Sequence, residues 1–196
     1  VFMVPGVMSL ILCVVTILLT SMSLAREKEM GTFETIISAP VSTSEVLLGK
    51  TIPYVVLGMF DIPLIMAVAS FLFGVPMRGS LWVTAFAGFV FVCTTVAIGT
   101  LISTFSKSQQ QAMMGGFIFL FVATLLSGIM FPLENMPLPM LFVAHLNPLK
   151  YFVVLLGNIM LKGGDPLVVW INVSALTLMC LIAVTVAFRR FKPTLT

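Results

Sequence analysis

Residues 44–74 read SEVLLGKTIPYVVLGMFDIPLIMAVASFLFG, and two folds compete for them. Gly49-Lys50-Thr51 closes like a phosphate-binding P-loop, which would put a strand before it and a nucleotide-binding domain around it. The preceding residues decide against that reading. Ser44 stands where the first glycine of the motif belongs, and the intervening EVLL is a helix-forming run whose amides are used internally. A phosphate cradle instead needs exposed N–H groups in a glycine-rich turn. No aspartate follows an apolar strand to hold magnesium. Thr51–Gly74 carries no charge apart from Asp61, and is long enough to cross a hydrocarbon core of about 30 Å, which takes about 20 helical residues. The stretch is therefore a helix entering a membrane. Lys50 reads as an interfacial anchor whose ammonium snorkels to the headgroups, and Gly49 as a point of close helix approach.

The remainder of the chain agrees. Of its 196 residues 60% are hydrophobic and 9% charged, and the mean hydropathy is +1.19, so lipid is the solvent for most of it. Five runs can span: Val4–Ala25, Thr51–Gly74, Leu81–Phe105, Ala112–Phe131 and Val168–Phe188. The expected fold is an all-α integral membrane protein. Two longer connections interrupt the runs, a charged one at Arg26–Lys50 and a proline-rich, partly apolar one at Pro132–Leu167. Cys13, Cys93 and Cys180 lie in apolar runs with neither disulfide nor zinc spacing, and read as packing residues. The first run is too long and too late-flanked for a signal peptide.

Basic residues orient the set. With the first run directed inward, Arg26, Lys28, Lys50, Lys107, Arg189, Arg190 and Lys192 face the cytoplasm, and Arg78, Lys150 and Lys162 face outward. The loop 26–50 and the C-terminus are then cytoplasmic and the segment 132–167 is external. The start of the chain falls outside as well, which leads us to expect a preceding helix.

The loop REKEMGTFETIISAPVSTSEVLLGK holds most of the functional information. Thr32 can cap a short helix with Phe33, Ile36 and Ile37 on one face and Glu34 in its first turn, and Pro40 stops it. Ser42 and Glu45 have capping-box spacing and open the next helix. This describes an amphipathic helix on the membrane surface, with an apolar face that needs a partner; a merely solvated loop is the alternative.

The ordered set Arg26-Glu27, Glu29, Gly31-Thr32, Glu34, Pro40, Glu45 and Leu47-Leu48-Gly49-Lys50 resembles the signature of ABC-2 type transporter permeases, in the bacterial multidrug exporter branch. Pro132, Met136-Pro137, NPLKYF at 147–152 (with Pro148 and Tyr151) and LKG at 161–163 resemble the same family's external re-entrant region. The resemblance implies that 26–50 is a coupling loop, with Arg26, Glu27, Glu29, Gly31, Thr32, Phe33, Glu34, Ile37, Pro40 and Glu45 facing a separate ATP-binding subunit. ATP and magnesium would bind in that partner and no cofactor in this chain. It further implies a bacterial inner-membrane location, a homodimer or a heterodimer with a related permease, membrane lipids as surroundings, and export of a drug-like or lipid-like amphipath. A signalling or force-transmitting subunit that moves nothing is the other reading. Family members have six spans; here the first of them and the large external domain after it are absent. The family's acid at the position of Val154 and its Arg-Gly pair at Gly157-Asn158 are absent too.

Asp61 lies about 16 Å deeper than Lys50 at about 1.5 Å per residue, near mid-bilayer. An ionisable group there is a functional candidate; equally, it could be a protonated carboxyl bonded to a neighbouring helix, with Thr94 and Thr95 at matching depth. Pro63 nearby can kink its helix. Prolines 132, 137, 139 and 148 cut the external segment into pieces too short to span, which read as two re-entrant helices. His145 reads as a packing residue, and Gly88, Gly99, Gly115 and Gly116 as sites of close helix packing. No nucleophile–base set, metal cluster or nucleic-acid patch is present in the sequence.

Overall fold

The computed structural model describes residues 3–31, 43–75, 78–130 and 137–190, with side chains from Glu45 onward in the second stretch. Every regular element among these residues is a helix, and the bundle is built around the first, α1 (Val4–Glu29). Its buried positions, Met8, Ser9, Leu12, Cys13, Thr16, Ile17, Thr20, Ser21 and Leu24, recur at helical spacing and form one inward stripe. The hydroxyls in that stripe do not disturb it. Ser9, Thr16 and Thr20 donate to the carbonyls of Pro5, Leu12 and Thr16, each at 2.7 Å, which satisfies them within their own helix.

Against α1 pack α2 (Thr43–Phe73), α3 (Leu81–Phe105), α4 (Gln109–Leu125) and α6 (Pro148–Lys162). Small residues let the backbones approach, the usual device where lipid supplies no hydrophobic drive between helices. A Cβ on Gly99 of α3 would meet the Ile17 carbonyl oxygen at 3.0 Å, and one on Gly88 would meet Ile62 of α2 at 2.4 Å. Gly49 departs from expectation: nothing lies within 4 Å of its Cβ position, because it faces away from the bundle.

The last helix, α7 (Pro166–Arg190), lies along α3. There Cys93 and Cys180 interact, so two cysteines that look isolated in sequence are neighbours across a helix seam. α1, α2, α3 and α7 are each long and apolar enough to cross a membrane. α2 runs through Pro53 and Pro63 as one helix. Each proline removes an amide from the ladder, leaving the carbonyls of Gly49 and Met59 without their usual partners. α4 has 17 residues and stops at Leu125, short of the expected Phe131. The Ser127 hydroxyl closes its last turn on the Thr124 carbonyl at 2.7 Å, and Gly128 then takes a positive φ of 85°.

Between α4 and α7 the chain forms α5 (Leu138–His145) and α6, bent from each other by 78°. The bend is written in Asn147-Pro148. The Asn147 Oδ1 accepts from the Leu149 amide at 3.1 Å, and Pro148 occupies the first turn of α6, where no amide is missed. The Asn147 side-chain amide also donates to the Ala123 carbonyl at 2.7 Å, tying the bend to α4. Tyr151 donates from its hydroxyl to the His145 carbonyl at 3.0 Å. α6 ends on Gly163, in the left-handed conformation with φ 84°. Phe152 stacks on Phe91 of α3 at a centroid distance of 4.0 Å, deep in the core. The chain is an all-α integral membrane protein.

Gly99→Val should force α1 and α3 apart and cost about 1–3 kcal/mol, seen as a lower melting midpoint in detergent. Gly49→Ala should leave the midpoint unchanged or raise it, since alanine is the better helix former by up to about 1 kcal/mol.

Candidate functional site

Glu27, Lys28 and Glu29 are consecutive on a helix, so their side chains fan out at about 100° intervals toward three different neighbours. Glu27 forms an ion pair with Lys50, joining the end of α1 to the start of α2. Lys28 donates from Nζ to the carbonyls of Ser103 and Thr104, at 2.7 and 3.2 Å, in the last turn of α3. Glu29 Oε2 accepts from the Gln109 amide at 2.9 Å, at the first residue of α4. Lys28 and Glu29 each match the helix end they meet, a cation on a C-terminus and an anion on an N-terminus. Such matches are worth about 0.3–1 kcal/mol each, or up to about 2 where partly buried. One turn deeper, Tyr54 donates to the Ser23 hydroxyl, a second tie between α1 and α2.

The two carboxylates need these partners. They sit at the C-terminal end of α1, where the helix dipole disfavours negative charge and favours Arg26 and Lys28. The α4 end is prepared separately. Ser108 caps it by accepting from the Gln111 amide at 3.2 Å, while the Gln111 side-chain oxygen accepts from the Lys107 amide at 2.8 Å, a variant of the capping box. Beyond the clamp α1 ends at Met30, and Gly31 adopts a positive φ of 68° that turns the chain off the helix axis.

The sequence-predicted residues therefore divide. Arg26, Glu27, Glu29, Gly31, Glu45 and Lys50 gather at one end of the bundle, with Lys28 added by the structure. Lys50, read from sequence as a headgroup anchor, reaches Glu27 instead, because the Glu27 carboxylate stands at the same level on the adjoining helix. Thr32, Phe33, Glu34, Ile37 and Pro40, and likewise Pro132, lie outside the described residues. Pro137 caps α5, and Pro148 and Tyr151 belong to the bend, which Asn147 ties to Ala123 of α4, away from the clamp. Asp61 is not joined to Thr94 or Thr95. Thr94 donates to the Val90 carbonyl at 2.7 Å, and Thr95 shares a 2.9 Å hydrogen bond with Thr16 of α1. The Asp61 Oδ2 has no hydrogen-bond partner among the described residues. It stands on α2 between Phe60 and Leu64, both largely exposed on the outer face of the bundle. Arg78 lies beside Gly163, at the far end from Lys28 and Lys50.

Fold and site together define a multi-pass membrane domain whose long polar loop is tied to the bundle at both of its ends. The family model described as ABC-2 type transporter matches residues 1–161, and the chain belongs to that family. It is 38% identical over 173 residues to the probable multidrug ABC transporter permease YbhS of Escherichia coli, covering 88% of this chain and 46% of that protein. To the probable multidrug ABC transporter permease YbhR of the same organism it is 30% identical over 191 residues, covering 97% and 52%. The inner membrane transport permease YhhJ is 30% identical over 196 residues, with the same two coverages. The chain thus spans about half the length of the curated relatives it matches.

Reversing one partner of the clamp, as Glu27→Lys or Lys50→Glu, should lower the melting midpoint of the detergent-purified protein, and the double exchange should recover most of the loss. A double exchange no better than the two single losses summed would show that the pair does not join α1 to α2.

Proposed function

We propose that this chain is the membrane portion of a permease subunit in an ATP-driven exporter of the bacterial inner membrane. A separate ATP-binding-cassette subunit holds ATP and magnesium and carries out hydrolysis; this chain does none. The loop 26–50 faces the cytoplasm and seats on that subunit through Gly31, Thr32, Phe33, Glu34, Ile37, Pro40 and Glu45. Two such permeases, identical or related, form the pathway for an amphipathic drug-like or lipid-like molecule. The multidrug names of two relatives support the substrate class.

The observation that carries this reading is the clamp. A loop that pushed only on its own two flanking helices would move α1 and α2 and leave the remainder behind. Here Lys28 and Glu29 pass a displacement of α1 directly to the ends of α3 and α4. The ATPase can drive the change only if it contacts the loop differently in its two nucleotide states. Mid-membrane hinging is available in α2, where Pro53 and Pro63 interrupt the ladder.

The test reconstitutes the full-length permease with its ATPase in vesicles and measures ATP-dependent movement of drugs and labelled lipids. Gly31→Val should strain the left-handed turn, and Glu34→Ala should weaken the loop helix. Each should lower transport about fivefold or more, the lower end of ordinary coupling energies, while the level of protein in the membrane and ATP turnover persist. Undiminished transport by both variants would remove the loop from the coupling path. Turnover with no movement of any drug or lipid would favour a signalling or force-transmitting subunit.

A further inference from the structure

Two cavities on the outer side of the bundle show how α3 and α7 lie against each other. One brings Trp82 and Phe86 of α3 together with Val169 and Trp170 of α7. Nearer the clamp a second, of about 400 Å³, brings Cys93, Ala97 and Thr100 of α3 together with Val184 and Ala187 of α7. Rising numbers on one helix meet rising numbers on the other, so the two run in the same direction, and their register follows. Cys93, Ala97 and Thr100 are spaced i, i+4, i+7 and share one face of α3. Cys180, Val184 and Ala187 have the same spacing on α7. Stepping back one turn on each helix therefore sets Cys93 beside Cys180. The small side chains of Ala97 and Ala187, both buried, let the helices come close at this seam. The two cysteines do interact across it, and Cys180 interacts with Thr94 as well. Both are thiols and only partly buried, whereas the Cys13 thiol is fully buried.

A thiol packs like any small apolar side chain, but two thiols held together across a seam can do what a pair of alanines cannot. We propose that Cys93 and Cys180 are a reversible redox pair, closing to a disulfide across the α3–α7 seam when an apolar organic hydroperoxide reaches Cys93. The Cys93 sulfur attacks the outer peroxide oxygen and the O–O bond breaks. The alcohol leaves with the thiol proton, and Cys93 is oxidised to the sulfenic acid. The Cys180 sulfur then attacks the Cys93 sulfur, the S–O bond breaks, and hydroxide leaves as water with the Cys180 proton. Two thiols and one hydroperoxide give one disulfide, one alcohol and one water. Access assigns the roles, since Cys93 lines the cavity and Cys180, one turn before Val184, does not. The bond ties the last helix covalently to α3, whose last turn Lys28 already holds, so α7 joins the clamped unit. The pair follows from the packing of α3 on α7 and is independent of the transport reading.

The full-length protein in nanodiscs is treated with cumene hydroperoxide, remaining thiols are alkylated after denaturation, and non-reduced peptides are mapped by mass spectrometry. The expected product is a peptide pair linked from Cys93 to Cys180 within one chain, with Cys13 still alkylated and dithiothreitol restoring both thiols. Closure should raise the melting midpoint by several degrees, because the bond restricts the unfolded chain, and reduction should abolish the rise. In Cys180→Ser, Cys93 should stop at the sulfenic acid and be trapped by dimedone. In Cys93→Ser, Cys180 should remain a thiol over the same time. Wild-type Cys93 oxidised without a link to Cys180, a link between two chains, or both thiols unchanged by the peroxide would each overturn the proposal. A linked pair that lowers the midpoint would overturn it as well, by placing the bond outside the native seam.

Discussion

Three consecutive charges at the end of α1 hold three other helices, α3 and α4 at their ends and α2 two turns from its start, and the arrangement of the bundle depends on that junction. The geometry is a consequence of helical pitch. Side chains four apart would lie on one face and could serve one neighbour, whereas a run of three sweeps most of the circumference. α1 can therefore be central in two senses, packed against its neighbours along its length and bonded to them at its tip. In a membrane the second sense matters more than it would in water. Lipid gives little drive for helices to associate, so polar ties and close backbone approach carry much of the specificity.

The rest of the domain reads as a response to the same constraint. The buried hydroxyls of Ser9, Thr16 and Thr20 in α1 and of Thr94, Thr95 and Thr100 in α3 are returned to their own backbones, and one threonine pair, Thr16 and Thr95, links the two helices. At the bend between α5 and α6, Asn147 satisfies the exposed backbone at the start of α6 and Gly163 closes α6 at its end. α2 is the exception. It carries two prolines, an acid without a hydrogen-bond partner among the described residues, and an outer face of Phe60, Leu64 and Phe71. Tied firmly at its start and packed loosely beyond, it has the form of a lever.

Much of this could be read in the sequence, for identifiable reasons. Run length and apolarity marked four helices long and apolar enough to cross a membrane, while the fifth expected run gave the shorter α4, and Asn147-Pro148 fell at the bend between α5 and α6. Gly99 and Gly88 were legible because small residues in apolar runs have few other uses. The clamp was legible only as charged residues that matter. Three of its partners, Ser103, Thr104 and Gln109, are ordinary residues far along the chain, and all three of these bonds use backbone groups that no motif marks. Cys93 and Cys180 escaped for the same reason, since their adjacency depends on how α3 and α7 pair. Gly49 misled because its surroundings depend on which way the start of α2 faces.

In the proposed exporter, the loop acts on a junction that moves as one piece. Spin labels at Arg26 and Gln110, in a background with Cys13, Cys93 and Cys180 changed to serine, report the distance between α1 and α4 across the junction. A second pair, at Arg26 and Phe71, reports the far part of α2. Double electron–electron resonance on the full-length permease with its ATPase, with and without trapped ATP, compares the two. The expected result is an unchanged first distance and a shifted second one. A first distance that shifts or broadens with nucleotide would contradict the rigid clamp and with it the route by which the loop reaches the bundle.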